Sequence, residues 1–289
     1  HPSPVHGVAR SGLWWRPRGA AAAALLALGL AALPARAEEL GAIAARVKRS
    51  VVHLELADAA GEPLGNGTGF LVSVDGQVVT NHHVIAKVAA VTARLGDGRR
   101  VPARGVVALD VEHDLALLAL EGSGYEPLPL GTASGLAVGD EVVVIGSPAG
   151  LAGSLSVGVV SALRGEAARA AAPDADHPRA WALQITAAIS PGSSGSPVVA
   201  VRSGAVVGVA VGQRTDGQAL NFAVPVDHAR ALLATAVAEP VAFPGAATRG
   251  GRLRNLALSL VFFGAIALAA WLAPRLRRRA PPARRRAGA

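Results

Sequence analysis

The chain has 289 residues, of which 51% are hydrophobic and 3% aromatic, and it contains no cysteine, so its fold cannot depend on disulfides. The formal net charge is +8, but all 20 acidic residues lie between Glu38 and Glu239, and the excess of basic residues lies at the two ends. No basic stripe carries interleaved aromatic residues, so we expect no nucleic-acid partner.

The N-terminal segment predicts export. Three arginines precede an apolar run from Gly19 to Leu33, and an Ala-x-Ala sequence ends at Ala37. This order is typical of a signal peptide, so we expect residues 1–37 to be removed by cleavage after Ala37. The alternative is a segment that stays uncleaved as a membrane anchor.

The body of the chain predicts short β-strands. Valine-rich runs are separated by Gly, Pro and Asp turns, which is typical of all-β barrels and sandwiches. We predict a helix over Asp227–Ala238 with Asp227 as its N-cap, and a crossover between two halves at Gly122–Pro129. The predicted strands are Val51–Leu56, Gly69–Val74, Gln77–Thr80, Val101–Leu109, Leu115–Leu120, Glu141–Ile145, Val157–Ala162, Ala182–Ile185, Pro197–Ala200 and Ala205–Val211.

The C-terminal segment predicts a membrane anchor. Residues 239–255 are rich in proline and glycine and are expected to form a flexible tether. Leu256 to Ala273 then gives 18 residues without a charge, which favours a single transmembrane helix over a buried core helix. Seven arginines follow this run and three precede it, which predicts a cytoplasmic tail over 274–289 and a body on the outer side of the membrane.

A serine in a glycine-rich turn, Ser194, lies downstream of His83 and Asp114. A serine hydroxyl is a weak nucleophile, and it needs an imidazole to accept its proton and a carboxylate to hold that imidazole in the right tautomer. We therefore assign Ser194 as the nucleophile, His83 as the general base and then general acid, and Asp114 as the residue that orients His83.

The same turn predicts an oxyanion hole. Backbone amides must already point at the developing oxyanion, and glycine at positions 192 and 195 allows the tight turn that aims them. We assign the hole to the amides of Gly192 and Ser194, with Ser193 between them as a further candidate.

Five sequence blocks in a fixed order resemble the HtrA/Deg branch of the trypsin-like serine proteases. The resemblance runs from about Val51 to Leu233 and implies a chymotrypsin-like fold of two six-stranded Greek-key barrels, over about 38–125 and 126–238, with the active site between them. In the family's Thr-Asn-x-His-Val pattern the catalytic histidine precedes valine, which selects His83 rather than His82. The blocks are Val79–Val84, His113–Leu118, Ile145–Leu151, Ser156–Ala162 and Asn221–Pro225.

The resemblance also implies a substrate class. Ile189 matches a pocket-forming position of the family and Ala188 adds no charge, so we expect small or medium apolar residues at P1. Polypeptides would be the partners. Members of the family commonly form homotrimers, but Glu38–Ser50 has no aromatic residue to support this assembly, so the oligomeric state stays open. The chain departs from the family in having Ser193 where asparagine is usual. Only about fifty residues follow Ala238, so we expect no PDZ domain after the protease domain.

Histidines 82, 83 and 113 can also be read as metal ligands. No cysteine and no His-x-x-x-His spacing supports a zinc site, so we expect no metal and no cofactor.

These observations together predict a membrane-anchored serine endopeptidase at the outer face of a bacterial cytoplasmic membrane, acting on unfolded or membrane-proximal exported proteins. Two alternatives stay open: a catalytically silent, protease-like binding or signalling module, and an esterase that uses the same triad.

Overall fold

The computed structural model describes residues 38–147, 153–164, 182–213 and 220–246. The chain divides after Ala45, and of the part before it only the start of helix α1 (residues 38–50) is described. Within these ranges, no helix has the length and apolar character that a membrane crossing needs. The predicted signal peptide, the predicted transmembrane helix at 256–273 and the basic tail lie outside the described residues.

Six antiparallel strands form the first closed barrel, in the spatial order β1-β2-β3-β6-β5-β4. Strands β4, β5 and β6 follow one another, and β3 lies beside β6, which is a Greek-key arrangement. The pairing of β1 with β4 closes the barrel. The strands are β1 (Val51–Ala57), β2 (Pro63–Leu71), β3 (Gln77–Asn81), β4 (Ala90–Arg94), β5 (Arg100–Asp110) and β6 (Leu115–Leu120).

The second barrel repeats this order and is closed by the pairing of its first strand with its fourth. Residues 121–140 connect the barrels without a helix or a strand. The predicted all-β fold of two six-stranded barrels is therefore confirmed. The strands are β7 (Glu141–Gly146), β8 (Ser154–Leu163), β9 (Leu183–Ile185), β10 (Pro197–Ala200), β11 (Val206–Gln213) and β12 (Asn221–Pro225).

Each barrel has its own apolar core. Alternate residues of a strand point to the same face, so Val52, Leu54 and Leu56 of β1 all enter the first core, as Val142 and Val144 of β7 enter the second. Strand β6 is buried along its whole length, because helix α3 (Val226–Leu233) packs against it.

The C-terminal helix differs from its prediction. It starts at Val226 and ends at Leu233 rather than Ala238, and Pro225 occupies the N-cap position. The carboxylate of Asp227 caps no helix and instead accepts hydrogen bonds from the hydroxyl of Thr132 and the amide of Ala133, both at 2.8 Å. Asp227 therefore fastens the helix to the segment that connects the two barrels.

The described start of the predicted tether, residues 239–246, is packed against the first barrel. The amides of Val106 and Val241 each donate to the other residue's carbonyl at 2.8 Å, and Phe243 lies in the first core. A 3₁₀ turn follows at Pro244–Ala246. These residues differ from the flexible segment that composition predicts, because strand β5 supplies hydrogen bonds and the core accepts Phe243.

Candidate active site

Asp114 contacts His83 at two points. One carboxylate oxygen of Asp114 accepts the backbone amide of His83 at 2.8 Å, and the other lies 2.6 Å from Nδ1 of the imidazole. The Asp114 side chain is fully buried, whereas 38% of the His83 side chain is exposed. Because an ionised carboxylate can only accept, this contact suits a ring that donates from Nδ1, and in a neutral imidazole that tautomer has its lone pair on Nε2.

The backbone around Asp114 is fixed by the segment that carries His83. His83 lies in the short helix α2 (His82–Ile85), directly after β3, and Asp114 directly precedes β6. Asp114 has φ +55°, a left-handed conformation that is uncommon for any residue but glycine. Its carbonyl accepts the amide of His82 at 3.1 Å and the side-chain amide of Asn81 at 3.0 Å. These bonds hold the conformation that aims the carboxylate at His83.

The predicted nucleophile lies in a pair of consecutive type II turns. Ser190–Ser193 is closed by the Ser193 amide on the Ser190 carbonyl at 2.8 Å, with Pro191 second and Gly192 third at φ +92°. The next turn begins at Ser193, whose carbonyl accepts the amide of Ser196 at 3.0 Å, and Gly195 is its third residue at φ +86°. Ser194 thus stands at the second position of a tight turn.

The hydroxyl of Ser194 donates to the carbonyl of Val211, at the end of β11, at 2.9 Å. Within the described part of the chain this carbonyl, rather than His83, is its hydrogen-bond partner. The structure therefore brings His83 and Asp114 into direct contact and leaves the Ser194 hydroxyl turned toward β11.

Thr68, on β2 of the first barrel, holds the serine turn of the second. The Thr68 amide donates to the carbonyl of Ser194 at 3.0 Å, and its hydroxyl donates to the carbonyl of Gly192 at 2.7 Å. The same hydroxyl accepts the amide of Ser147 at 3.1 Å, and the Thr68 carbonyl accepts the hydroxyl of Thr80 at 2.7 Å. Thr68 is fully buried, so these bonds form away from water.

Gly195 lies against the same threonine. A Cβ atom at this position would lie 2.0 Å from the Thr68 carbonyl oxygen and 2.4 Å from the Thr80 hydroxyl oxygen. Only glycine fits the close approach of the two barrels here, and only glycine adopts the positive φ without strain.

The three candidate oxyanion amides differ in what they contact. The amide of Ser193 closes the first turn on Ser190. In the ranges that the structure describes, the amides of Gly192 and Ser194 donate to no protein acceptor. These two are the donors that a substrate oxygen would find available.

The two predicted pocket residues lie in different surroundings. Ile189 is 2% exposed and belongs to the core of the second barrel, and Ala188 is exposed. The amide of Ala188 donates to the hydroxyl of Ser156 at 2.7 Å, which ties this strand-like segment to β8. Ile189 is therefore part of the second core, and of the two residues only Ala188 is open to solvent.

His53 lies beside the site as the β1 partner of Thr68. Burial lowers the pKa of His53, and the nearby Arg94 lowers it further, against a smaller opposite effect of Glu55. The side chain is 7% exposed and its Nδ1 has no hydrogen-bond partner among the described residues. His53 is thus a buried histidine that favours its neutral form.

Sequence reasoning missed Thr68 and a polar cluster of Asp110, His113 and His228. Glycines within a strand often mark a close approach of another backbone, and Gly67 and Gly69 flank Thr68 in β2, which was the available signal. No sequence pattern connects His228 with the other two residues of the cluster.

Comparisons with known proteins give a consistent result. The family profile described as trypsin-like peptidase domain matches residues 67–209. The serine protease PepD of Mycobacterium tuberculosis is 35% identical over 210 residues, which cover 66% of this chain and 44% of PepD. The chain spans less than half the length of the curated relatives that it matches.

Two solved structures are similar over about two thirds of the chain. Deg5 is 30% identical, with a TM-score of 0.56, and the match covers 68% of this chain and 92% of Deg5. The HtrA-type protease AlgW, solved with a tripeptide, is 28% identical, with a TM-score of 0.58, over 67% of this chain and 62% of AlgW.

Proposed function

The chain belongs to the HtrA/Deg group of trypsin-like serine proteases, and on that premise we propose that it is an endopeptidase whose catalytic residues are His83, Asp114 and Ser194. The observation that carries the proposal is that the buried Asp114 carboxylate contacts both the backbone amide and the ring of His83. These two contacts favour one orientation and one tautomer of the imidazole, and a general base needs both.

The proposed reaction begins with a turn of the Ser194 hydroxyl. In this step the Ser194 hydroxyl would leave the Val211 carbonyl, to which it donates, and would donate instead to Nε2 of His83. Nε2 then takes the proton as Oγ attacks the scissile carbonyl, and Asp114 stabilises the imidazolium that forms. His83 returns the proton to the leaving amine, and water repeats the sequence on the acyl-enzyme.

The oxyanion of the tetrahedral intermediate would accept hydrogen bonds from the amides of Gly192 and Ser194. Their lack of protein acceptors in the described structure supports this assignment, and the type II turns hold both amides in place before the substrate arrives. The Ser193 amide would join them only if its bond to Ser190 opened.

The proposed substrates are unfolded or membrane-proximal exported polypeptides. An apolar pocket floor supported by Ile189, with uncharged Ala188 at the surface, favours Val, Ala or Leu at P1 over Arg or Lys. Faster cleavage of Arg or Lys peptides would contradict this preference. We further propose that residues 1–37 are an export signal, that residues 256–273 are a membrane anchor, and that the protease domain lies on the outer face of the cytoplasmic membrane, with a homotrimer as the assembly to be tested.

Proteolysis by the full chain tests the proposal. The purified chain and its Ser194→Ala variant are incubated with a permanently unfolded protein, and fragments are followed over time. We expect cleavage by the first and none by the second. Equal cleavage by both would remove Ser194 as the nucleophile, and no cleavage by either would favour the silent binding module.

A further inference from the structure

Three potential metal ligands from distant parts of the chain meet near the catalytic aspartate. Asp110 ends β5, His113 lies in the turn just before Asp114, and His228 lies on helix α3. The imidazole rings of His113 and His228 are stacked, with centroids 3.7 Å apart and planes 20° from parallel. One donor atom from each of the three residues lies within 4.8 Å of the others, and all three side chains are half-buried.

We propose that Asp110, His113 and His228 bind a divalent transition-metal ion, with Zn²⁺ as the ion the ligand set fits best. Two imidazoles and a carboxylate are ligands that zinc accepts, and three protein ligands leave a coordination position for water. Zinc has no geometric preference from its d-electrons, so it tolerates a site assembled from a turn and a helix.

The Asp110–His113 pair is already held in a ligand-like arrangement. One Asp110 carboxylate oxygen accepts the amide of His113 at 3.0 Å, and the other lies 2.7 Å from Nδ1 of the same residue. An ion between these two atoms would take the place of the shared proton and widen their separation to about 3.3 Å. The separation between these two atoms would thus change by less than an ångström. The hydrogen bond from the His113 amide to the Asp110 carboxylate can stay intact.

His228 requires a larger adjustment. In a stacked pair the nitrogen lone pairs lie in two nearly parallel ring planes, so they do not converge on one ion. Rotation of the His228 side chain from its stacked position to an edge-on one would aim a nitrogen at the ion, while helix α3 stays where β6 and Asp227 hold it. The imidazoles must be neutral and the carboxylate ionised to bind, so affinity should fall in acid.

A bound metal ion would link the turn that carries Asp114 to the helix that follows the second barrel. His113 immediately precedes Asp114, and α3 follows β12 directly. An ion bound by the folded chain alone stabilises that chain by mass action. The proposal does not depend on proteolysis, because its readouts are metal stoichiometry and thermal stability.

The test uses the full chain, stripped with a chelator and titrated with ZnCl₂ at neutral pH. We expect one Zn²⁺ per chain by equilibrium dialysis with metal analysis, and a rise in Tm that is reversed by the chelator. His113→Ala and His228→Ala should each weaken binding by about tenfold or more and abolish the rise in Tm. The matched control His82→Ala removes a described histidine that is not part of the cluster and should bind like the wild type.

The Tm of each chain is also measured in chelator. If these Tm values are equal, the variants are folded and their zinc affinities can be compared. A variant that is less stable in chelator is replaced by His113→Gln or His228→Gln, which keep a polar side chain. The proposal is overturned if the wild type binds no zinc, if both cluster variants bind like the wild type, or if only His82→Ala loses binding.

Discussion

The backbone amide of Thr68 in the first barrel donates to the carbonyl of Ser194 in the second at 3.0 Å. The Thr68 hydroxyl adds a second bond to the same turn, on the carbonyl of Gly192. The barrel that supplies His83 and Asp114 therefore also holds the backbone of the proposed nucleophile. Thr68 is a positioning residue, since it sets where Ser194 lies relative to His83.

Replacing Thr68 with valine should slow catalysis more than it weakens substrate binding. Thr68→Val keeps the shape but removes the hydroxyl that bonds Gly192 and Ser147. A small misplacement of a reacting group can cost about 10²-fold in rate, so we expect kcat to fall by about 10- to 100-fold with KM little changed. Steady-state kinetics on a peptide substrate measures both constants.

Thr68→Ser is the matched control, because it restores the hydroxyl without the methyl group. It should recover most of the lost kcat. If serine and valine at this position have the same kcat, the hydrogen bonds of Thr68 do not position the turn.

Gly195→Ala should disable the site through a steric clash. Its Cβ would lie 2.0 Å from the Thr68 carbonyl oxygen, so the serine turn must move away from β2. We expect activity to fall by more than about 100-fold, measured as kcat/KM. Gly98→Ala isolates the backbone strain, since Gly98 has a similar φ of +89° but no atom within 4 Å of the added Cβ. That control should cost about 1 kcal/mol of unfolding free energy and leave kcat/KM unchanged, whereas equal losses in the two variants would exclude the clash as the cause.

Asp114→Asn should lower kcat by about 10⁴-fold, because an asparagine side chain can donate to Nδ1 of His83 and select the wrong tautomer. The buried position of Asp114 leaves no water to replace the carboxylate. The exposed Asp97, which bonds Arg99, gives the matched variant Asp97→Asn, and it should retain full activity. A kcat within tenfold of the wild type for Asp114→Asn would show that Asp114 does not orient the base.

Mild acidification should lower the free energy of unfolding of the chain, because His53 has a lower pKa in the folded state than in the unfolded state. Its pKa is lowered in the folded chain from an unfolded value near 6.5, chiefly by burial. As pH falls through that value, the unfolded chain takes up the proton first, so the free energy of unfolding decreases. Above it both states are neutral and His53 contributes no pH dependence.

Denaturant titrations at pH 7.5 and 5.5 measure this effect. His53→Gln cannot titrate, so it should lose less unfolding free energy between the two pH values than the wild type. Both proteins are measured with Ser194→Ala to prevent self-cleavage. Identical losses in the two proteins would assign the acid sensitivity to other groups.

The fold was largely predictable because valine-rich runs are separated by clear Gly, Pro and Asp turn signals. Strand β4 (Ala90–Arg94) was not predicted, since its alanines and polar residues give a weak strand signal and its pairing with β1 supplies the missing preference. Strand β12 (Asn221–Pro225) was also not predicted, and it forms between β9 and β11. The N-cap prediction for Asp227 was wrong because a distant segment, at Thr132 and Ala133, binds its carboxylate. Local sequence could not reveal that competition.

Within the site, motifs led to His83 and Asp114, and the structure places them in contact. The role of Thr68 was not predictable, because its bond to Gly192 joins residues 124 positions apart in different barrels. The approach of His228 to His113 likewise depends on how helix α3 packs against β6. Such contacts follow from tertiary packing, which a single sequence does not display.

Labelling with a fluorophosphonate probe tests the central claim most directly, because this reagent reacts with a serine only when a base activates it. The full chain and its His83→Ala and His82→Ala variants are labelled, and the adduct is located by mass spectrometry. We predict an adduct on Ser194 in the wild type and in His82→Ala, and none in His83→Ala. An adduct on another serine, no adduct on the wild type, or equal labelling of His83→Ala would contradict the proposed triad.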